Sequence, residues 1–100
     1  MRMTGLVDRA SGREFVGEGA LFNALQSAED VPILWDAWDI DADWKRSLVD
    51  ESGLLSSEIV SIGRLFIAIR IRYRVGERSS LVQDIIFHAF DRRIDFVTEV

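Results

Sequence analysis

Two tryptophans and several aspartates lie close together in the first half of the chain. Trp35 and Trp38 flank Asp36, and Asp39 follows the second tryptophan directly. Indole rings pack well against the C–H faces of sugars, and carboxylates accept hydrogen bonds from sugar hydroxyls. The spacing is therefore compatible with a loop that contacts a carbohydrate. The alternative is structural, since tryptophan is usually largely buried: the pair would plug one end of a β-sandwich while the aspartates stay solvated.

The same stretch also opens like a calcium-binding loop. Asp39, Asp41 and Asp43 have the required Asp-x-Asp-x-Asp spacing. The sixth position of such a loop needs glycine for a sharp turn, but Trp44 occupies it. The last ligand should be a bidentate glutamate, and Asp50 falls there instead. These mismatches argue against calcium.

Other residues capable of chemistry lack the neighbours that the chemistry needs. Cysteine is absent, which excludes thiolate nucleophiles and thiolate metal sites. Ser11 lies in a Ser-Gly turn without the Gly-x-Ser-x-Gly motif of a nucleophile elbow. His88 is the only histidine and has no metal ligand at suitable spacing, so we expect a packed or hydrogen-bonded strand residue. We predict no catalytic residue, no metal ligand and no cofactor in this chain.

Length and composition are those of an ordinary globular domain. The chain has 100 residues, of which 48% are hydrophobic and 29% charged, and we expect one domain spanning residues 1–100. The net charge of −5 argues against nucleic acid, which attracts basic surfaces. No apolar run approaches the ~20 residues of a membrane span, and the first residues lack a signal-peptide pattern. The expected location is the cytoplasm, with no membrane partner.

Apolar and polar residues alternate along much of the chain, and this pattern predicts strands. The spacing in the stretch 20–30 fits both a helix and a strand. Propensity alone favours a helix, whereas Gly17 and Gly19 before it favour a strand-rich setting, and we choose a strand. One helical turn is expected after Asp43. The predicted fold is all-β: an antiparallel β-sandwich with meander hairpins and at most one short helical turn. The expected strands lie within 4–16 (a hairpin), 20–30, 54–63, 65–75, 81–90 and 94–100.

The stretch 65–100 organises the fold as three consecutive strands joined by short turns. In its first strand, aliphatic residues occupy the odd positions and arginines the later even ones, so they face opposite sides of a sheet. We predict that Ile71 faces Ile85 across the first turn, which places Arg72 opposite Asp84. We expect the arginines to lie on a solvated face with cross-strand ion pairs.

Three blocks of the sequence resemble the β-rich region that follows the catalytic barrel in α-mannosidases of glycoside hydrolase family 38. The second block contains Trp-Asp-Ala-Trp-Asp-Ile and the third ends in Arg-Ile-Asp-Phe-Val-Thr-Glu-Val, and both motifs are fairly specific. In the family the last block continues into further sandwich, so the chain resembles an excised or engineered piece of a larger enzyme. The blocks are residues 6–14, residues 29–41, and residues 73–84 continued by 93–100.

The resemblance implies a parent enzyme that hydrolyses α-mannosides with retention of configuration. It also implies that the zinc ion and the aspartate nucleophile belong to the parent's N-terminal barrel, so this chain alone is expected to be inactive. Its role would be to support the barrel and frame the sugar cleft. Trp35, Asp36, Trp38 and Asp39 are then the candidates for substrate or interdomain contact, and the remainder of the parent chain is the expected partner.

Two other interpretations stay open. In the first, the chain acts alone as a carbohydrate-binding or protein-interaction module. In the second, it is an engineered β-scaffold that self-associates. The scaffold interpretation predicts a homodimer, because exposed strand edges invite self-association.

Overall fold

A computed structural model describes residues 2–31, 34, 40, 42–51 and 53–100 of the chain. The chain divides into two compact units, residues 2–51 and the residues that follow. Each unit has its own antiparallel sheets. The single domain expected from the length stays a prediction.

The first unit begins with the predicted hairpin. Strand β1 (Val7–Asp8) pairs with β2 (Arg13–Glu14). Within the turn the Ser11 hydroxyl donates a hydrogen bond to Asp8 Oδ2 over 2.8 Å, and Gly12 adopts a left-handed φ of 71°. Glycine suits this position because it has no Cβ to clash. Ser11 therefore closes a turn, as expected from its sequence context.

A second pair of short strands brings distant parts of the first unit together. Strand β3 (Gln26–Ser27) pairs with β4 (Val49–Asp50), and a 3-10 helix spans Ala42–Ser47. The stretch 20–30 contains no helix, so the choice of a strand is confirmed, although the strand has only two residues. The 3-10 helix is the predicted helical turn.

The second unit is one four-stranded antiparallel meander. The strands lie side by side in chain order, so the three-stranded meander predicted for the stretch 65–100 is present and β5 adds a fourth strand to it. The all-β antiparallel class with one short helical turn is thus confirmed for the described residues. None of these residues belongs to a helix long and apolar enough to cross a membrane. The strands are β5 (Gly53–Ile62), β6 (Phe66–Val75), β7 (Ser79–His88) and β8 (Ile94–Glu99).

One face of the meander is buried through its two central strands. Ile71 of β6 and Ile85 of β7 are completely inaccessible to solvent. Tyr73 and Leu81 lie on the same face and are also buried, opposite each other across the two strands. Buried Gln83 donates its Nε2 hydrogen to the Thr98 hydroxyl over 3.0 Å, which offsets the cost of burying an amide. The aliphatic residues at odd positions of β6 therefore face the core side, as the alternation predicted.

The register between β6 and β7 differs from the prediction by two residues. Ile85 faces Ile69 instead of Ile71, and Asp84 faces Arg70. The strands are paired symmetrically about Glu77, because Gly76 adopts a left-handed φ of 58° and the turn closes between Val75 and Ser79. A shift of two residues preserves the face on which each side chain lies, so the predicted faces are correct although the predicted partners are wrong.

We expect Ile71→Val to lower the free energy of unfolding by about 1 kcal/mol, because it removes a buried methyl group and leaves a small cavity. The matched control is Ile62→Val, since Ile62 lies in the same sheet but is 72% exposed. The control should leave stability within about 0.5 kcal/mol of the original. Urea denaturation of both variants provides the measurement, and equal losses would contradict the assignment of the buried face.

Candidate functional site

The four residues predicted to contact substrate or another domain lie outside the described residues. These are Trp35, Asp36, Trp38 and Asp39. Their contact with a ligand stays a prediction. Asp41, one of the aspartates of the calcium alternative, also lies outside the described residues.

The two sequence flanks of this segment meet in the first unit and form an open groove of about 230 Å³. Two acidic residues come from the N-terminal flank, and one aspartate and one tryptophan come from the 3-10 helix on the other flank. The tryptophan, Trp44, is partly exposed. The groove is lined by Glu29, Asp30, Val31, Asp43, Trp44 and Ser47.

Ser47 ties the two flanks together. Its Oγ accepts a hydrogen bond from the backbone N–H of Glu29 over 3.0 Å. The same hydroxyl lies 3.1 Å from the carbonyl oxygen of Glu29 and 3.0 Å from that of Trp44, and either oxygen accepts its proton. The described residues on either side of the segment are therefore held together at Ser47.

The pairing of β3 with β4 also joins the two flanks, because β3 precedes Glu29 and β4 follows Ser47 in the sequence. Gln26 Nε2 donates a hydrogen bond to Asp50 Oδ1 over 2.8 Å, and the Ser27 hydroxyl donates to Glu51 Oε1 over 2.6 Å. A salt bridge of 3.7 Å joins Arg2 to Asp50. Side-chain bonds thus reinforce a ladder that is only two residues long on each side.

The groove carries negative charge with cations at its edge. Arg46 Nε lies 3.5 Å from Asp43 Oδ1, and Lys45 Nζ lies 5.8 Å from the centre of the Trp44 ring. Glu29 and Asp30 are both exposed to solvent. Such a surface can accept hydrogen bonds from the hydroxyls of a sugar and offer an indole for stacking.

The groove does not have the arrangement of a glycosidase active site. Retaining hydrolysis needs two carboxyl groups about 5–5.5 Å apart, and one of them is kept protonated by a buried setting. Glu29, Asp30 and Asp43 are all exposed. Among the described residues, the groove offers binding chemistry and no general acid.

The outer face of the meander carries a well-formed ion pair. Arg70 Nε and a terminal guanidinium nitrogen each donate a 2.8 Å hydrogen bond to Asp84, one to each carboxylate oxygen. The hydrogen bonds from Arg70 hold the pKa of Asp84 below its usual value and raise the pKa of Arg70. Glu58 of the edge strand lies opposite Arg70 on the other side. Of the arginines expected to form cross-strand ion pairs, Arg70 does so, and it takes the place predicted for Arg72 as the partner of Asp84.

A second polar cluster lies at the turn between β7 and β8. His88 Nε2 donates a 2.8 Å hydrogen bond to Asp95 Oδ2, and Arg93 Nε lies 3.0 Å from Asp95 Oδ1. The bond from His88, with the charge of Arg93, lowers the pKa of Asp95. The prediction of a hydrogen-bonded strand histidine is confirmed.

The described residues do not fit the zinc ion that the family resemblance implies. Zinc requires at least three protein ligands from nitrogen, sulfur or carboxylate groups. His88 and Asp95 supply two such groups, but Arg93 occupies the second oxygen of the carboxylate. No cluster of three or more potential ligands occurs among the residues that the structure describes.

Sequence reasoning missed the groove and its tryptophan. The sequence predicts a helical turn after Asp43, and nothing among the neighbours of Trp44 indicates contact with residues near Glu29. The signal lies in the pairing of β3 with β4, and two-residue strands are too short for periodicity to reveal.

Comparison with known proteins points to one family. The protein-family model described as "Glycosyl hydrolases family 38 C-terminal domain" matches residues 2–100. Human alpha-mannosidase 2C1 is 31% identical over 102 residues, which cover 99% of this chain and 10% of the human protein. Mouse alpha-mannosidase 2C1 is 32% identical over 101 residues, covering 98% of this chain and 10% of the mouse protein. The chain thus spans about a tenth of the length of these relatives. No solved structure matches it significantly.

We expect Asp84→Asn to lower stability at neutral pH and to flatten the acid dependence of stability. The pKa of Asp84 is depressed in the folded state, so its contribution is present above the ordinary carboxyl pKa of about 3.9 and is lost as the pH falls through the depressed value. The difference between the original chain and Asp84→Asn should therefore shrink as the pH falls through this range. Urea denaturation at a series of pH values measures it.

The control for this prediction is a thermodynamic cycle with Arg70→Gln. If the two side chains act as one pair, the double variant should lose less stability than the sum of the single variants. Additive losses, or an unchanged acid dependence in Asp84→Asn, would show that the pair contributes nothing.

Proposed function

This chain belongs to the glycosyl hydrolases family 38 C-terminal domain family, and we propose that it is the non-catalytic β-domain of an α-mannosidase. In that enzyme it supports the catalytic barrel and frames the sugar cleft. The rest of the mannosidase chain is its partner. Catalysis, including the zinc ion that the resemblance implies, belongs to that partner.

The observation that carries this proposal is the extent of the match. The family model covers residues 2–100. The alignment with the human relative is 102 residues long and covers 99% of this chain, so it needs few insertions or deletions. The relative is named an alpha-mannosidase, and only a tenth of it is aligned.

The role in framing the sugar cleft is supported by the groove of the first unit. Ser47 joins the two flanks of the segment that contains Trp35 and Trp38. The groove itself adds exposed carboxylates and the ring of Trp44. These groups suit the hydroxyls and C–H faces of a mannoside, so the flanks and the segment would form one rim of the cleft.

Self-association is the alternative that one observation favours. Strand β5 is an edge of the meander, and all but one of its residues are exposed. An exposed edge is a template for pairing with another chain. A monomer by light scattering at micromolar concentration would exclude this scaffold interpretation, and calorimetry with mannose separates it from a free carbohydrate-binding module.

We expect this chain alone to release no product from an aryl α-mannoside. The described residues supply no acid–base pair of the kind that retaining hydrolysis needs. Absorbance of the released phenol, with human alpha-mannosidase 2C1 as the positive control, provides the measurement. The proposal would be overturned by turnover that exceeds the buffer blank and copurifies with the folded chain.

We further expect the chain to replace the aligned tenth of human alpha-mannosidase 2C1. A chimera containing residues 2–100 at that place should be recovered as soluble, active enzyme, because a supporting domain needs a conserved shape more than conserved side chains. The matched control inserts a flexible linker in place of the segment, which should abolish recovery of active enzyme. Recovery of the linker variant but not of the chimera would refute a supporting role.

A further inference from the structure

Several strongly exposed apolar side chains lie at the end of the meander where β5 is connected to β6. Ile62 is 72% exposed, Leu65 66% and Phe90 89%. Isolated exposed apolar residues are ordinary, but a contiguous group marks a surface that binds something. We name this group the apolar end; it consists of Ile59, Ile62, Leu65, Ile67 and Phe90, all exposed.

Backbone hydrogen bonds bring the members of the apolar end together. Ile62 pairs with Ile67 across the β5–β6 hairpin. The backbone N–H of Ala89 donates to the carbonyl oxygen of Leu65 over 2.8 Å, which places the residue after Ala89, Phe90, beside the hairpin turn. The apolar end therefore includes residues of the turn between β5 and β6 and of the loop that follows β7.

The polar groups around this end form a rim. The cluster of His88, Asp95 and Arg93 lies at the same end, since β7 finishes and β8 begins there. Arg64 lies in the exposed turn itself. An apolar centre with a polar rim is the usual anatomy of a protein–protein interface.

We infer that the apolar end docks on the remainder of the mannosidase polypeptide, with apolar side chains of that polypeptide as its counterpart. This inference rests on the proposed function. The argument for this occupant is the length of the relatives: the chain aligns with only a tenth of each, so nine-tenths of the molecule is available as a tethered partner. Tethering gives such a partner a high effective concentration.

A second copy of the chain is a poorer occupant of this region. The register of β5 against β6 shifts between Leu54 and Ser56 and again between Ile59 and Ser61. Bulges of this kind twist an edge strand and interrupt its row of hydrogen-bonding groups, which protects against pairing between copies. The exposed side chains of the apolar end stay available for packing, but continuous edge-to-edge pairing is disfavoured.

The test places Ile62→Lys together with Phe90→Lys in the chimera with human alpha-mannosidase 2C1. Lysine on a docked apolar surface must bury a charge or separate the surfaces, so we expect several-fold faster proteolysis and a several-fold lower yield of active enzyme. The control is Val97→Lys, which changes an exposed apolar strand residue outside the patch and should behave like the unmodified chimera. In the isolated chain, neither the double variant nor the control should change the urea midpoint appreciably.

The outcomes separate this inference from the proposed function. If the unmodified chimera is not recovered, the supporting role fails and the inference fails with it. If the unmodified chimera is active and the double variant matches Val97→Lys, the proposed function stands and the docking surface is wrong.

A photoreactive residue at position 90 identifies the occupant directly. We expect cross-links within one molecule, to mannosidase peptides outside the inserted chain. Cross-links between two copies would overturn the assignment in favour of a dimer, and the absence of cross-links at position 90 in an active chimera would show that the apolar end is uncovered.

Discussion

The register between β6 and β7 is the constraint on which the second unit depends. It places Ile71 and Ile85 together on the buried face and gives Arg70 the carboxylate of Asp84 on the other. The ion pair is partly exposed, so its net contribution to stability is small. A slip by one residue is opposed mainly by burial, because it would bury Asp84 and expose Ile85. Hydrophobic burial thus supplies the energy and fixes the faces, while the Gly76 turn selects among registers with the same parity.

This division explains what could be predicted from the sequence. Alternation has a period of two, so it assigns faces reliably but cannot distinguish registers that differ by two residues. The predicted pairing of Ile71 with Ile85 therefore placed both residues on the correct face and chose the wrong partners. The turn decides between such registers, and the conformation of Gly76 depends on the whole hairpin. The hairpin around Ser11 and the strands of the meander were accessible because each is encoded locally.

The candidate site was predictable in its composition and not in its surroundings. The tryptophans and aspartates after Val31 are conspicuous in any reading of the sequence. Glu29 and Trp44 line one groove because Ser47 and the paired strands β3 and β4 join their parts of the chain. Each of these strands has two residues and is too short to leave a periodic signal in the sequence. A contact between residues 18 apart, made by one hydroxyl, has no local signature. Function likewise comes from the family match, since exposed carboxylates and indoles occur on proteins of many kinds.

The distribution of burial favours a component of a larger molecule over a free-standing module. Both surfaces relevant to function are open: the groove of the first unit is lined by exposed acids, and the apolar end of the second unit carries Phe90 almost entirely in solvent. An apolar surface that stays uncovered promotes aggregation. Under the proposed docking, the rest of a longer polypeptide would cover the apolar end and remove this cost. The bulges of β5 are consistent with this view, because they guard an edge against other copies while leaving the neighbouring apolar side chains free to pack.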